Sequence, residues 1–248
     1  MRVFVDIGGY LGHSTLAALD PIFGFDRVLC FEPVPRLAEK IREISDPRVI
    51  VIEAALSDRE GRAILYHAGT LAGSLFADAP AYEEEGEQIE IRTVCASNIL
   101  PSLIPNDAFV RTKFNCEGAE ARIIEDLLVY TDEKFSRNII SQSLIDFDVE
   151  KIESQKNERQ KIEQLLNDRN IRFFSPPECQ YGMVTNYGGV RNYLIKSGSI
   201  MIDNASLRIR SIFYNAMAMR NSSLNGYHKM RILRAIPLLR LFARSGKS

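Results

Sequence analysis

The chain has 248 residues, of which 46% are hydrophobic and 25% are charged. This composition is typical of a folded domain of ordinary size and excludes a disordered or fibrous protein. No run of about 20 apolar residues predicts a membrane-spanning helix, and the first residues lead into a strand-like segment instead of a signal peptide, so we expect a cytoplasmic protein.

The net charge of −1 hides a division of charge along the chain. Residues 1–203 carry all 32 acidic side chains and 22 basic ones, whereas residues 204–248 carry nine basic side chains and no acidic one. This division predicts one domain over 1–203 and a basic, apolar helical extension over 204–248.

The four cysteines are Cys30, Cys95, Cys116 and Cys179, and none of them forms a Cys-x-x-Cys pair. Such wide spacing favours reduced, buried thiols over a disulfide framework or a zinc site. We therefore expect no metal.

The first 53 residues alternate short β-branched runs with helical segments, which is the pattern of a parallel sheet covered on both faces. Strands are predicted at 2–7, 27–31 and 49–52, and helices at 13–19 and 35–45. The first strand is a nearly continuous apolar run, as expected for a strand buried between two helix layers.

Two further strands are predicted at 63–67 and 89–94. The stretch between them is rich in Gly, Ala and Glu and lacks a helical period. We interpret it as an insertion or lid, with Gly69, Gly73 and Gly86 as its flexible points.

The second half of the domain continues the alternation. The predicted elements are a strand at 109–114, a helix at 119–129, a strand at 138–144, a crossover helix at 149–170, and strands at 171–174 and 190–195 that close the sheet. The predicted fold class is therefore α/β, a Rossmann-like, doubly wound and mostly parallel sheet with a C-terminal helical extension.

The segment Asp6-Ile7-Gly8-Gly9-Tyr10-Leu11-Gly12 stands where the first strand turns into the first helix. Glycines there let the backbone approach a ligand, and a carboxylate at the strand end can receive a cationic or hydroxyl-bearing group. The spacing differs from the Gly-x-Gly-x-x-Gly of nicotinamide sites, so a cofactor without phosphates suits it better. A tight strand-to-helix connection without a ligand is the alternative.

Three later strand ends also carry polar or small residues. Glu32 follows the second strand about 20 residues after Gly12, the position from which doubly wound folds bind ribose hydroxyls. Residues 53–58 could flank an adenine ring, and residues 113–120 add a fourth strand end on the same crevice. For Glu117 and Glu120, favourable charge at a helix N-terminus is the alternative.

The four segments VDIGGYLGHST, FEPVP, EAALSDREG and KFNCEGAE, in this order, resemble the FkbM family of S-adenosylmethionine-dependent methyltransferases over roughly residues 3–145. The resemblance implies a class I methyltransferase fold and methyl transfer to oxygen on a sugar, glycan or other small hydroxyl-bearing metabolite. It implies that Asp6, Gly8 and Gly12 form the loop at the methionine end and that Glu32 holds the ribose. The expected cofactor-binding residues are Asp6, Gly8, Gly9, Tyr10, Gly12, Glu32, Pro33, Glu53, Ala54, Ala55, Leu56 and Asn115.

Three positions depart from the pattern of that family. Tyr10 stands where a small residue or asparagine is usual, Asn115 stands where many members carry aspartate, and Ser141-Gln142 replaces an acidic residue at the end of the next strand. A catalytically inactive scaffold or binding protein of the same fold is therefore the alternative function, favoured by Asn115 and Gln142.

Methyl transfer from a sulfonium is an in-line displacement, so positioning supplies much of the rate and a base is needed only for a hydroxyl acceptor. The candidate bases are Glu117, His13 and Lys113, in that order.

In the extension, Ile209, Ile212, Phe213 and Ala216 follow helical spacing and predict an apolar stripe to be covered by the domain, a second subunit or a lipid surface. From His228 onward, apolar and basic residues alternate, which suits anionic lipid headgroups or self-association. Nucleic acid is not an expected partner, because the acidic first 203 residues would repel its phosphates.

Overall fold

The computed structural model describes residues 1–80, 86–182, 186–201 and 205–221. The strands are β1 (Arg2–Ile7), β2 (Arg27–Phe31), β3 (Val49–Ile52), β4 (Ala55–Ser57), β5 (Gly61–Ala68), β6 (Glu87–Cys95), β7 (Phe109–Phe114) and β8 (Leu144–Ile145). The helices are α1 (His13–Ala18), α2 (Pro35–Arg42), α3 (Ala96–Leu103), α4 (Glu120–Tyr130), α5 (Glu133–Ile140), α6 (Glu158–Asp168), α7 (Pro176–Cys179), α8 (Asn186–Lys196) and α9 (Ala205–Asn221).

Five parallel strands form the central sheet in the order β3-β2-β1-β7-β8. Alternate residues of β1 face opposite layers: Val3 and Val5 pack with α4 and α5, whereas Phe4 packs with α1 and α8. The sheet is thus covered on both faces, as its apolar strands require. The predicted α/β class is confirmed, and the architecture is compatible with a Rossmann-like fold.

The predictions for the first half are confirmed with small differences. β1, β2 and β3 have the expected bounds, while α1 and α2 end one and three residues earlier than expected. The strands predicted at 63–67 and 89–94 correspond to the longer strands β5 and β6. They pair antiparallel, in a second sheet of order β4-β6-β5.

The predicted insertion between β5 and β6 packs back on β5. Tyr66 and Ser74 form an antiparallel bridge, and a Cβ added to Gly86 would lie 2.5 Å from the backbone of His67. The strand pair therefore needs glycine at position 86 for close packing. Residues 81–85 of the insertion lie outside the described residues.

The strand predicted at 138–144 is wrong, because residues 133–140 form α5 and β8 holds only Leu144 and Ile145. The Asp132 side chain accepts the amides of Lys134 at 2.9 Å and Phe135 at 3.3 Å, which caps the helix. The buried residues Phe135, Ser136, Ile139 and Ile140 follow the helical period.

Three other predictions after β8 need correction. The crossover helix expected from residue 149 begins at Glu158, after two short 3-10 helices at Val149–Lys151 and Glu153–Gln155. The strand expected at 171–174 reduces to one bridge between Phe174 and Leu144. The strand expected at 190–195 is part of α8, in which Val190, Tyr193 and Leu194 are buried at helical spacing.

α9 attaches to the domain through a polar contact. The buried carboxylate of Asp20, just after α1, accepts hydrogen bonds from Ser211 Oγ at 2.9 Å and Asn215 Nδ2 at 2.8 Å, both buried. Arg191 Nε of α8 lies 3.3 Å from the same carboxylate. Asp20 therefore joins α8 and α9 to the end of α1.

The predicted apolar stripe of α9 is covered at one position only. Ile212 is half-buried against the core, whereas Ile209, Phe213 and Ala216 are exposed. The basic segment expected from His228 lies outside the described residues. Within the described part of the chain, no helix combines the length and hydropathy needed to cross a bilayer.

All four cysteines are free thiols, as predicted. Cys30 and Cys179 are buried, while Cys95 and Cys116 are half-buried.

We expect Asp20→Ala to lower the free energy of unfolding by about 2 to 4 kcal/mol, because it leaves buried donors and part of an ion pair without their acceptor. Urea denaturation followed by circular dichroism measures the change. Asp107→Ala, at an exposed position, is the control and should leave the midpoint nearly unchanged. Equal midpoints for the two variants would show that Asp20 does not anchor the helices.

Candidate functional site

A cavity of about 360 Å³ opens at the carboxyl edge of the central sheet. It lies beside the ends of β1 and β7, where the strand order reverses, which is where open α/β sheets bind ligands. Its volume is within the range of small-molecule sites. The predicted site residues that line it are Gly8, Gly9, Tyr10, His13, Glu32, Pro33, Ala55, Leu56, Lys113, Asn115 and Glu117.

Four predicted cofactor-binding residues, Asp6, Gly12, Glu53 and Ala54, are not in the cavity lining. The carboxylate of Glu53 forms an exposed ion pair with Arg42 at 3.0 Å, and Ala54 is buried in the core. Gly12 precedes α1 and packs against Ile41.

Contacts inside the protein require glycine in the loop after β1. A Cβ on Gly8 would lie 1.8 Å from the carbonyl oxygen of Asn115, and one on Gly9 would lie 2.3 Å from Cys30 Sγ. Tyr10 has a φ of 47°, a left-handed conformation that glycine or asparagine adopts more easily. The loop therefore packs tightly against β7 and β2 before any ligand is considered.

The amides of this loop already donate hydrogen bonds. Gly8 N and Gly9 N both donate to the carbonyl oxygen of Phe31 at 3.1 Å, and Tyr10 N donates to Glu32 Oε2 at 2.7 Å. A pyrophosphate site presents such amides to the ligand. These three amides are therefore engaged within the protein and are not presented to the cavity.

Asp6 and Lys113 form a buried ion pair beneath the loop. Lys113 Nζ lies 3.1 Å from Asp6 Oδ1 and donates to the carbonyl oxygens of Ile7 and Gly8 at 3.2 and 2.5 Å. Thr15 Oγ1 donates to the other carboxylate oxygen at 2.8 Å. The side chains are 0% exposed for Asp6 and 2% for Lys113, so the cation that Asp6 receives is Lys113 and not a ligand.

This ion pair keeps Lys113 protonated. Burial lowers the pKa of the amine, but the charge of Asp6 and its hydrogen bond raise the pKa above the ordinary value of lysine. A lysine held in its charged form cannot accept a proton, so its role is that of a structural cation, not a base.

Glu32 presents a buried carboxylate to the cavity. Its oxygens accept the amides of Tyr10 at 2.7 Å and Val34 at 2.9 Å. Burial raises its pKa to about 7, although both amides favour the ionised form. Because each carboxylate oxygen has two lone pairs, Glu32 can also accept hydroxyl groups of a ligand.

The opposite wall of the cavity carries Asn115, Glu117, Asp146, Lys151 and Tyr181. Asn115 Nδ2 donates to Tyr181 Oη at 3.0 Å. The buried Asn115 Oδ1 has no hydrogen-bond partner among the residues that the structure describes, so it is an open acceptor at this wall.

Like charges crowd the carboxylates of this wall. Burial and the charges of Asp148 and Glu120 raise the pKa of Glu117 to about 8, and burial with Asp148 raises that of Asp146 to about 6. Lys151 forms an ion pair with Asp148. The raised pKa values mark these groups as candidates for proton transfer or for binding a cation.

Glu117 and Glu120 have different roles. The buried carboxylate of Glu120 accepts the amides of Cys116 at 2.6 Å and Gly118 at 2.9 Å, which closes the turn before α4. The alternative prediction, a helix-terminus role, therefore fits Glu120, whereas Glu117 faces the cavity.

Sequence reasoning missed Asp146, Lys151 and Tyr181. Asp146 directly follows β8, but the comparison with the family pattern had assigned the end of this strand to Ser141-Gln142. Gln142 does not line the cavity, so it no longer favours an inactive scaffold. The signal was present in Leu144-Ile145-Asp146, an apolar pair followed by an acid, like Phe31-Glu32 at the end of β2.

The acidic lining favours a cationic ligand. Glu32, Glu117 and Asp146 face the cavity, while Lys113 and Lys151 are each paired with a carboxylate outside the lining. Across the described ranges, no cluster of His, Cys, Asp or Glu has an arrangement that could hold a metal ion.

The sequence matches no protein-family model, and comparisons with curated proteins and with solved structures found no match. The functional interpretation therefore depends on the geometry of the cavity and on the sequence motifs.

We expect Lys113→Met to lower the free energy of unfolding by about 3 to 5 kcal/mol, because it leaves the Asp6 carboxylate buried and uncompensated. Replacing both partners, as Asp6→Leu with Lys113→Met, should recover part of the loss in a double-mutant cycle.

Thermal and urea unfolding measure both effects. Lys161→Met, which removes an exposed cation, is the matched control and should leave stability nearly unchanged. If Lys113→Met changes the free energy of unfolding as little as this control, the ion pair does not stabilise the fold.

Proposed function

We propose that this protein is an S-adenosylmethionine-dependent methyltransferase of class I type, acting on a hydroxyl group of a sugar, glycan or other small metabolite. The observation that carries the proposal is the acidic cavity at the switch point of the sheet, with the Glu32 carboxylate at the end of β2. The resemblance to the FkbM family points to the same chemistry.

The cavity chemistry suits this cofactor. S-adenosylmethionine carries a ribose diol, a sulfonium and an amino acid but no phosphate. Glu32 would accept the ribose hydroxyls, and the apolar side chains of Val34, Leu37 and Leu56 offer surfaces for a planar ring. The open acceptor Asn115 Oδ1 and the Asp146 carboxylate suit the ammonium and sulfonium charges.

When bound, S-adenosylmethionine would supply an electrophilic methyl group. Glu117 would take the proton of the acceptor hydroxyl, because burial and neighbouring carboxylates raise its pKa into the range of a general base at neutral pH. Leu71, Gly73 and Leu75 from the insertion also line the cavity and would shield the reacting atoms from water.

Glu32→Ala should weaken S-adenosylmethionine binding by about 1.5 to 3 kcal/mol, more than tenfold in Kd, because charge-assisted hydrogen bonds to the ribose are lost. Isothermal titration calorimetry measures the affinity, with NAD as a competitor that should not displace the ligand. Glu32→Gln keeps one acceptor and should give an intermediate affinity.

The matched control is Glu53→Gln, since the resemblance assigns Glu53 to the cofactor but the carboxylate lies outside the cavity. This variant should bind like the wild type. Absence of any binding heat from the folded wild-type protein would refute the cofactor assignment.

Glu117→Gln should lower kcat by at least about 100-fold, because general-base catalysis contributes on that order, while the Kd for S-adenosylmethionine stays unchanged. In the wild type, the rate should rise with pH and level off above about pH 8, since Glu117 must be ionised to act and its pKa is raised to about 8. Transfer of a labelled methyl group to a panel of sugars and glycans measures both effects.

Glu150→Gln, an exposed neighbour of the same charge, is the control. A melting temperature lowered by Glu117→Gln without any change in rate or pH profile would assign Glu117 to the helix terminus instead.

A further inference from the structure

The two faces of α9 are reversed relative to an ordinary surface helix. Ser211 and Asn215 are buried, whereas Ile209 is 55% exposed and Phe213 is 66% exposed. A surface helix normally buries its apolar stripe and presents its polar side to water.

Polar contacts set the orientation of this helix. Ser211 and Asn215 donate to the buried carboxylate of Asp20, and Tyr214 Oη donates to the carbonyl oxygen of Leu16 at 2.8 Å. Rolling the helix to bury Ile209 and Phe213 would break these contacts and leave the Asp20 carboxylate short of donors, which is costly. Ile209 and Phe213 are therefore held outward.

Basic residues flank the stripe on both sides. At 100° per residue, Arg208 and Arg210 project on either side of the line through Ile209, Phe213 and Ala216, and both arginines are exposed. We call these five residues the outer face of α9. The sequence around it, residues 204–248, contains nine basic side chains and no acidic one.

We propose that the outer face of α9 binds a membrane surface that contains anionic lipids. Phe213 and Ile209 would enter the boundary between headgroups and acyl chains, while Arg208 and Arg210 contact lipid phosphates or carboxylates. This inference does not depend on the reaction that the cavity supports.

Charge favours an anionic membrane over the two other possible partners, a second copy of the chain and a nucleic acid. A second copy of the outer face would bring arginines against arginines without a carboxylate from residues 204–248 to offset them. A nucleic acid would make little use of the exposed Ile209 and Phe213, and its phosphates would meet the acidic domain over 1–203.

The test is flotation of the full chain with two kinds of vesicle, phosphatidylcholine alone and phosphatidylcholine mixed with phosphatidylserine. We expect flotation with the mixed vesicles only. The apolar double variant Ile209→Asn/Phe213→Asn should lower the partition coefficient at least about tenfold, the transfer cost of the lost side chains.

The charge double variant Arg208→Gln/Arg210→Gln should lower the partition coefficient by about fivefold for each arginine at low salt, and this difference should fade at high salt because the charges are screened. The matched control is Val129→Asn/Tyr130→Asn, which removes two exposed apolar side chains from α4. It should float like the wild type, and all variants should keep the wild-type melting temperature because the substituted side chains are exposed.

Equal flotation of the wild type and the apolar double variant would overturn the proposal, as would equal flotation with both kinds of vesicle. Sedimentation velocity without lipid provides a further check. A dimer of the wild type that the apolar double variant abolishes would assign the outer face to a second copy, and salt-sensitive binding of RNA without flotation would assign it to nucleic acid.

Discussion

The buried ion pair between Asp6 and Lys113 is the contact on which the site depends. The two residues are directly opposed in the pairing of β1 with β7, so the pair joins the strands between which the sheet order reverses. Burying two charges is costly unless their hydrogen-bonding capacity is met, and here Thr15 and two backbone carbonyls meet it. Because those carbonyls belong to Ile7 and Gly8, the same lysine also shapes the loop at the cavity.

The polar groups at the strand ends form two sets, those that are engaged by other protein groups and those that face the cavity. Asp6, Lys113, Glu120 and the loop amides are engaged by other protein groups and hold the shape of the cavity. Glu32, Glu117 and Asp146 face the cavity with raised pKa values because burial and like charges disfavour their ionised forms. Crowding of buried carboxylates lowers the stability of the fold, and sites that retain such carboxylates are commonly functional.

The sequence was sufficient to predict the bounds of an element where its own residues show a clear pattern. β1, β2 and β3 are short, mainly apolar runs between turn or helix signals, so their bounds were predicted, as were those of β7. The strands predicted at 138–144 and 190–195 overlap the end of α5 and part of α8. Ile139-Ile140 and Val190–Ile195 are β-favouring runs, and their helical state depends on the Asp132 cap and on packing. Asp146 was missed because the end of the strand that follows β7 was assigned to Ser141-Gln142, whereas the structure places it at the end of β8.

α9 illustrates a different limit, because its hydrophobic period predicted an apolar stripe but could not show which side of the helix packs on the domain. The buried side is selected by Asp20, far away in sequence, through hydrogen bonds that no local pattern shows.

The attachment of α9 also links its outer face to the cavity through α1. α1 begins at His13, which lines the cavity, and α9 is held near the other end of α1 by Leu16 and Asp20. Six residues of helix, about 9 Å in length, therefore connect the cavity to the contacts that orient the outer face of α9. A surface that engages this face would position the cavity through one short, buried element.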